Sequence, residues 1–221
     1  MNKLFTTTFA VAVSFATVSG FAQEITGDAK AGAGKNAMCM GCHGIKGYQS
    51  SFPEVYKVPM ISGQGAKYIM AALGEYRKGE RKHPTMRGIA GPLTDQDIAD
   101  LAAYYSTSGV VAGAVLPAKP ARQPGAEVQA LLNKANCASC HGANFSSPID
   151  PTYPKLAGQH ADYLFVALKA YKTDGNPMVG RGNAIMGSMA KQYTNAELKL
   201  LANYVSSVQG ELKVVPESRF R

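Results

Sequence analysis

The chain has 221 residues, with 23 Lys and Arg against 15 Asp and Glu, four cysteines, no tryptophan and a formal charge of +8. The basic residues are scattered without a block, which excludes a nucleic-acid footprint; a mildly basic surface suits docking on an acidic protein patch or on anionic lipid. The length allows one domain or two small ones.

Residues 1–22 join one Lys to a mainly apolar stretch without acidic residues and end on Gly20, Phe21 and Ala22. That pattern reads as a secretory signal peptide cut after Ala22. Thr and Ser interrupt the run, which falls short of the roughly 20 apolar residues a membrane span needs. Lys3 is its only charge, so the mature chain keeps a net +7, and no later segment approaches a spanning length. The expectation is a soluble exported protein.

A first module is expected over 23–110. Its first helix runs into "NAMCMGCHG", which holds Cys39, Cys42 and His43. A second helix covers about 65–78 and a third about 95–107, opened by Thr94 three residues before Asp97 as a capping box. Ile98, Leu101, Ala102 and Tyr105 form an apolar stripe along the third. Residues 111–124 contain Pro117, Pro120 and Pro124 and read as a linker with some stiffness. The second module, over 125–210, repeats the order: Cys137, Cys140 and His141 in "NANCASCHG", a helix over 160–172, then Thr194 with Glu197 opening a helix over 195–208. Residues 211–221 lie outside the repeat and receive no role. With no alternating strand pattern and no hairpin signal, the expected fold is all-α: two tandem helical domains joined by a Pro-containing linker.

The two halves match beyond the cysteines. The Cys and His residues correspond at an offset of 98. "PMISGQ" (59–64) meets "PKLAGQ" (154–159) at 95, as do Tyr68 and Tyr76 with Tyr163 and Tyr171. "RKHPTM" (81–86) meets "RGNAIM" (181–186) at 100. This is one module of about 90 residues, duplicated. Three short helices bury little by themselves, so something large and apolar is expected to complete each core.

Four readings compete for C-x-x-C-H. The separation of Cys42 from Cys137 is too long for a zinc ribbon, and a thioredoxin-like pair wants a βαβ context. Plain disulfides leave the adjacent His unexplained. Covalent c-type haem attachment uses every residue: two thiols add to the haem vinyl groups, and the imidazole reaches the iron from the same side. Two haem c groups are therefore expected, held by Cys39, Cys42, Cys137 and Cys140, with His43 and His141 as axial ligands.

A distal Met or His makes an electron carrier, and an open side makes a catalyst or gas binder. The repeat nominates Met86 and Met186. Their rivals are His83, whose counterpart is Asn183, and Met189, whose counterpart is Ile89; a ligand should recur in both copies, and these do not. Pro59 and Pro154 are placed to offer a carbonyl to the Nδ1 proton of the ligating His, the alternative being a loop bend. Arg81 and Arg181 suit haem propionates, the alternative being solvated charge. Gln64 and Gln159 are expected to cap or start the second helix, and His160 to sit at the surface.

This ordered set, in duplicate over essentially the whole mature chain, resembles the dihaem cytochromes c4, built from two class I cytochrome c modules in tandem. His83 inside "RKHPTM" is a departure. The resemblance implies an all-helical fold, His/Met ligation of both irons, a periplasmic location, and electron delivery from the quinol-oxidising complex toward a terminal oxidase. An electron carrier, not an enzyme, is the leading expectation. The alternatives are a dihaem enzyme, such as a peroxidase or a sulfur-compound oxidising cytochrome, and an electron-transfer subunit of a larger complex. The repeat, with no third haem motif and no spare Cys, favours the shuttle.

Overall fold

The structure, a computed structural model, describes residues 25–216. The expected signal peptide lies outside the described residues, as does the end of the tail. The first module contains α1 (Ala29–Lys35), α2 (Ala37–His43), a hairpin of β1 (Gln49–Ser50) and β2 (Tyr56–Lys57), α3 (Ala66–Lys78), β3 (Arg81–Lys82), α4 (Pro84–Ala90) and α5 (Asp95–Thr107). The second contains α6 (Ala126–Lys134), α7 (Cys137–His141), α8 (Ala161–Lys172), β4 (Gly180–Arg181), α9 (Ala184–Lys191) and α10 (Asn195–Ser207). The molecule is mostly helical and two-domained, as the sequence implies.

Local chemistry sets the long helices. The capping boxes at Thr94 with Asp97 and Thr194 with Glu197 are both formed, each hydroxyl accepting the N–H three residues on while the carboxylate accepts the cap N–H. Asp28 starts α1 by accepting the N–H groups of Lys30 and Ala31. Helix α1 then crosses α5 so closely that a Cβ at Gly32 would lie 2.1 Å from the Asp100 carbonyl oxygen. Buried Asp100, 3 % exposed, receives the Asp28 N–H at 2.9 Å and the Lys35 ammonium at 2.6 Å across that crossing.

Three expectations need correction. Each module has more than three helices: α4 and α9, which carry Met86 and Met186, are helical and not loop. They are two turns long and carry Gly88 or Gly187, so no apolar period announces them; their starts are fixed by His83 and Asn183 as N-caps. The first helix of each module is broken ahead of its cysteines, in the second at Asn136, whose φ of 47° is left-handed. Short strands also form, two residues each, too short for a sequence period to register.

The modules meet across a pseudo-twofold contact. Strands β3 and β4 pair antiparallel, setting Arg81 opposite Arg181. Gln64 donates Nε2–H to the Lys155 carbonyl at 3.0 Å and accepts the Lys155 N–H at 2.9 Å. Gln159 does the same to Met60, at 2.9 and 3.0 Å. Each Gln is 4 % exposed and also accepts the N–H of the following residue, so the capping role expected for them is secondary to cross-linking the modules. The first-module hairpin reaches across as well, through Lys57 with Asp162 at 3.1 Å and Glu54 with Lys169.

The tail is not idle. Lys213 donates its N–H to the Ser62 carbonyl at 3.0 Å and its ammonium to the Gly109 carbonyl at 2.9 Å, while Glu211 pairs with Lys155. With Leu212 buried, the segment leaves the second module and straps the first. Among the described residues, no helix is long and apolar enough to cross a membrane.

Candidate functional site: two Cys-Cys-His sets

Helical spacing explains the motif. Residues three and four apart share a face, so Cys39 on α2 lies beside both Cys42 and His43, and Cys137 on α7 beside Cys140 and His141. All four cysteines are free and half-buried. Burial pushes the Cys39 thiol up to about 11 and raises that of Cys137. Such thiols stay protonated, unlike the exposed, electropositive thiolates of redox or nucleophilic sites. Among the described residues, no three His, Cys, Asp or Glu side chains gather as a metal-binding group.

The imidazoles are aimed by the loops that follow. His43 Nδ1 lies 2.7 Å from the Pro59 carbonyl oxygen, and His141 Nδ1 lies 3.2 Å from that of Pro154. A carbonyl only accepts, so Nδ1 carries the proton in each ring and Nε2 keeps its lone pair. Burial lowers both pKa values, opposed by those carbonyls, which favours the neutral, ligating form.

A cavity of about 410 Å³ opens on the first set. Cys39, Cys42, His43 and Met86 line it with Ile69, Leu101 and Tyr105, and it continues across the interface to Pro154, Tyr163 and Arg181. The donors fit a covalently held haem: two thiols, an imidazole with Nε2 free, a thioether on a separate helix, and apolar walls. The second set is packed more tightly. His141 is 8 % exposed, and among the described residues the adjoining core joins twelve buried side chains, against four in the first module.

The rivals have other partners. His83 Nδ1 accepts the Met86 N–H at 3.3 Å, and its Nε2–H then donates to the Tyr56 hydroxyl at 3.0 Å. Asn183 caps Met186 in the same way, at 2.9 Å. His83 and Asn183 are thus equivalent in role although not in type, and both ring nitrogens of His83 are engaged. Met189 Sδ accepts from Gln192 at 3.7 Å. Among the other methionines, Met38 is 69 % exposed and Met40 is 6 % exposed in the core.

Arg81 and Arg181 sit where the modules meet. Arg81, 5 % exposed, binds Glu75 and donates to the Tyr68 hydroxyl at 3.2 Å; Arg181 donates to the Tyr163 hydroxyl at 2.9 Å. Neither is a freely solvated charge, and both line the cavity. The tyrosines around them, Tyr68, Tyr76, Tyr163 and Tyr171, had a sequence signal in their repetition at one offset, but no chemistry was assigned to them from sequence.

The cytochrome c family model matches residues 30–108 and 125–209, one copy per module. Cytochrome c4 of Stutzerimonas stutzeri is 32 % identical over 205 residues, covering 86 % of this chain and 93 % of that protein. The chain belongs to the cytochrome c4 family. It carries two covalent haem c groups and is a dihaem electron carrier of the cytochrome c4 type. The solved cytochrome c4 structure from Acidithiobacillus ferrooxidans superposes with a TM-score of 0.57 at 27 % identity, covering 78 % of this chain and 99 % of that one. A protein named thiosulfate dehydrogenase electron acceptor, from Stutzerimonas stutzeri strain A1501, is 28 % identical over 180 residues, covering 79 % of this chain and 82 % of its own.

Proposed function

We propose that the mature chain works in the periplasm as a shuttle, taking electrons from a quinol-oxidising complex and passing them toward a terminal oxidase. The observation that supports this reading is that one chain carries two Cys-Cys-His sets, each with its imidazole Nδ1 against a proline carbonyl, in two modules that share an interface. In this reading Cys39 and Cys42 anchor the first haem between His43 and Met86, and Cys137 and Cys140 the second between His141 and Met186. When bound, each group supplies one-electron iron chemistry with little change in coordination.

The chain's own residues do the rest. Pro59 and Pro154 hold Nδ1 protonated and fix the ring plane, so each imidazole presents Nε2. His83 and Asn183 anchor the first turn of α4 and α9 and so place Met86 and Met186. The apolar wall of Ile69, Leu101 and Tyr105 excludes water, which limits reorganisation as charge moves. With His43 and Met86, and His141 and Met186, holding the irons, a bound haem would offer no position to peroxide or another substrate, which is why the enzyme alternatives stand behind the shuttle. The mildly basic surface suits an acidic docking patch or anionic lipid.

A second reading of the donor draws on the relative named as an electron acceptor of thiosulfate dehydrogenase: the electrons would come from a sulfur-compound oxidising enzyme. Stopped-flow reduction separates the two. The first reading expects rapid reduction by a purified quinol-oxidising complex and slow reduction by thiosulfate with its dehydrogenase; the reverse order refutes it.

A further inference from the structure

The caps of α4 and α9 differ in what they need in order to work. Asn183 caps Met186 through Oδ1, at 2.9 Å, and an amide oxygen is always an acceptor. His83 caps Met86 through Nδ1, at 3.3 Å, and that nitrogen accepts only in a neutral ring whose proton sits on Nε2. The hairpin of β1 and β2 supplies partners for that proton. The Tyr56 hydroxyl lies 3.0 Å from His83 Nε2, and the Phe52 carbonyl also hydrogen-bonds to the imidazole. Tyr56 faces Ser50 across the hairpin and hydrogen-bonds to it, and the Ser50 hydroxyl donates to the Phe52 carbonyl at 3.2 Å.

The path begins at the Met86 N–H, which can only donate, and ends at a carbonyl, which can only accept. One direction therefore serves every link: Met86 N–H to His83 Nδ1, Nε2–H to the Tyr56 oxygen, the phenol O–H to Ser50, and Ser50 to Phe52. Tyr56, His83 and Met86 line the same cavity as Cys39, Cys42 and His43, and all six belong to the first module. The hairpin is held in turn by Asp162, which accepts the Lys57 N–H at 3.1 Å. The second module lacks this arrangement. Its stretch from His141 to Pro154 is three residues shorter than that from His43 to Pro59, and the offset of 95 puts Pro151 in the place of Tyr56. Among the described residues, that stretch contains no strand.

We propose that Tyr56 is a positioning residue for the first module's distal ligand: it keeps the His83 proton on Nε2, which keeps Nδ1 as the cap of α4 and Met86 seated on the iron. The proposal rests on the reading that Met86 ligates the first haem. No covalent bond is made or broken. Without the phenol, the imidazole is free to turn or to carry its proton on Nδ1, where it opposes the Met86 N–H. The first turn of α4 then loosens and Met86 leaves the iron more often. Asn183 needs no such partner, so Met186 is unaffected.

Carbon monoxide binding to the reduced, haem-loaded mature protein tests this, because the gas enters only when the thioether has left. Tyr56→Phe is expected to speed binding at the first haem about fivefold, the worth of one hydrogen bond, and to leave the second unchanged. The first haem is the one that Met86→Ala opens. His83→Asn, which copies the second module's cap, is expected to bind the gas as slowly as the wild type. Adding Tyr56→Phe to it should change nothing, since an amide oxygen caps without help. Ser50→Ala should act in the direction of Tyr56→Phe by a smaller factor, and it keeps the proposal testable if Tyr56→Phe does not fold.

An equal acceleration by Tyr56→Phe in the wild-type and His83→Asn backgrounds would show that Tyr56 serves packing only, and overturns the proposal. Equal acceleration at both haems overturns it too, as does no acceleration at either by Tyr56→Phe or Ser50→Ala. If Met86→Ala opens neither haem, the ligand reading fails and the proposal with it, an outcome that this variant alone identifies.

Discussion

Gln64→Ala should uncouple the two modules. The side chain is 4 % exposed, and its amide makes two bonds to the Lys155 backbone of the other module, at 3.0 and 2.9 Å. Truncation removes both and orphans the Lys155 N–H and C=O. A buried orphaned polar group costs about 1–3 kcal/mol, and water reaching half-buried Lys155 offsets part of that, so the expected loss is about 2 kcal/mol. Gln159→Ala should cost the same, since it removes the equivalent pair to Met60. The double variant should lose less than twice that, because one broken pair already lets the interface part. Scanning calorimetry of the haem-loaded protein is the assay: a single transition in the wild type should split into two in the double variant. A loss under about 0.5 kcal/mol with a single transition retained would refute the claim that these amides hold the modules together.

Three other outcomes are expected. Replacing Cys39 and Cys42 together by Ala should remove more helix, by circular dichroism, than replacing Cys137 and Cys140, because the second module has the larger buried core of its own. Met86→Ala should open one haem to carbon monoxide and lower its potential while Met186→Ala opens the other, and the intact protein should bind carbon monoxide poorly; ready binding by the wild type would sink the proposed ligand set. The Asp100 carboxyl is held down to about 2, from 3.8, by the Asp28 N–H, the Lys35 ammonium and the Gln96 amide. Its folded value lies below its unfolded one, so its contribution is complete above pH 4 and is lost as pH falls from about 4 to about 2. Thermal midpoints measured across that window should fall, and Asp100→Asn should flatten that part of the profile.

The sequence carried the long helices and the motif because each rests on nearby residues. The capping boxes at Thr94 and Thr194, the stripes along α5 and α10, and the three-and-four spacing within C-x-x-C-H are all satisfied within one or two turns. What it did not carry was made by tertiary contact. The helices bearing Met86 and Met186 are too short for a period, and their caps differ in type, His83 against Asn183, so identity concealed a shared role that only hydrogen bonding reveals. Gln64 and Gln159 stood out as repeated residues, but their partners lie 91 and 99 positions away in the chain. The strap formed by Glu211, Leu212 and Lys213 has no counterpart in the repeat, which left nothing to compare it with.

The drift of the repeat offset has a structural cause. The segments that align at 95, residues 59–76 and 154–171, hold the cross-linking glutamines and the tyrosines around the arginines. Gln64 reaches Lys155 and Gln159 reaches Met60 only if the four-residue step from 60 to 64 equals that from 155 to 159, so an insertion inside either block would break the reciprocity. Length differences fall outside the blocks. The first module has three more residues between its His and Pro59 than the second has before Pro154, and the second has five more between Tyr171 and Arg181 than the first has between Tyr76 and Arg81. Both longer loops turn toward the other module: the first carries the hairpin whose Lys57 meets Asp162, and the second carries Asn176, whose carbonyl accepts from Lys82 at 2.7 Å. Duplication supplies a symmetric contact at the interface, and the unequal loops distinguish its two sides.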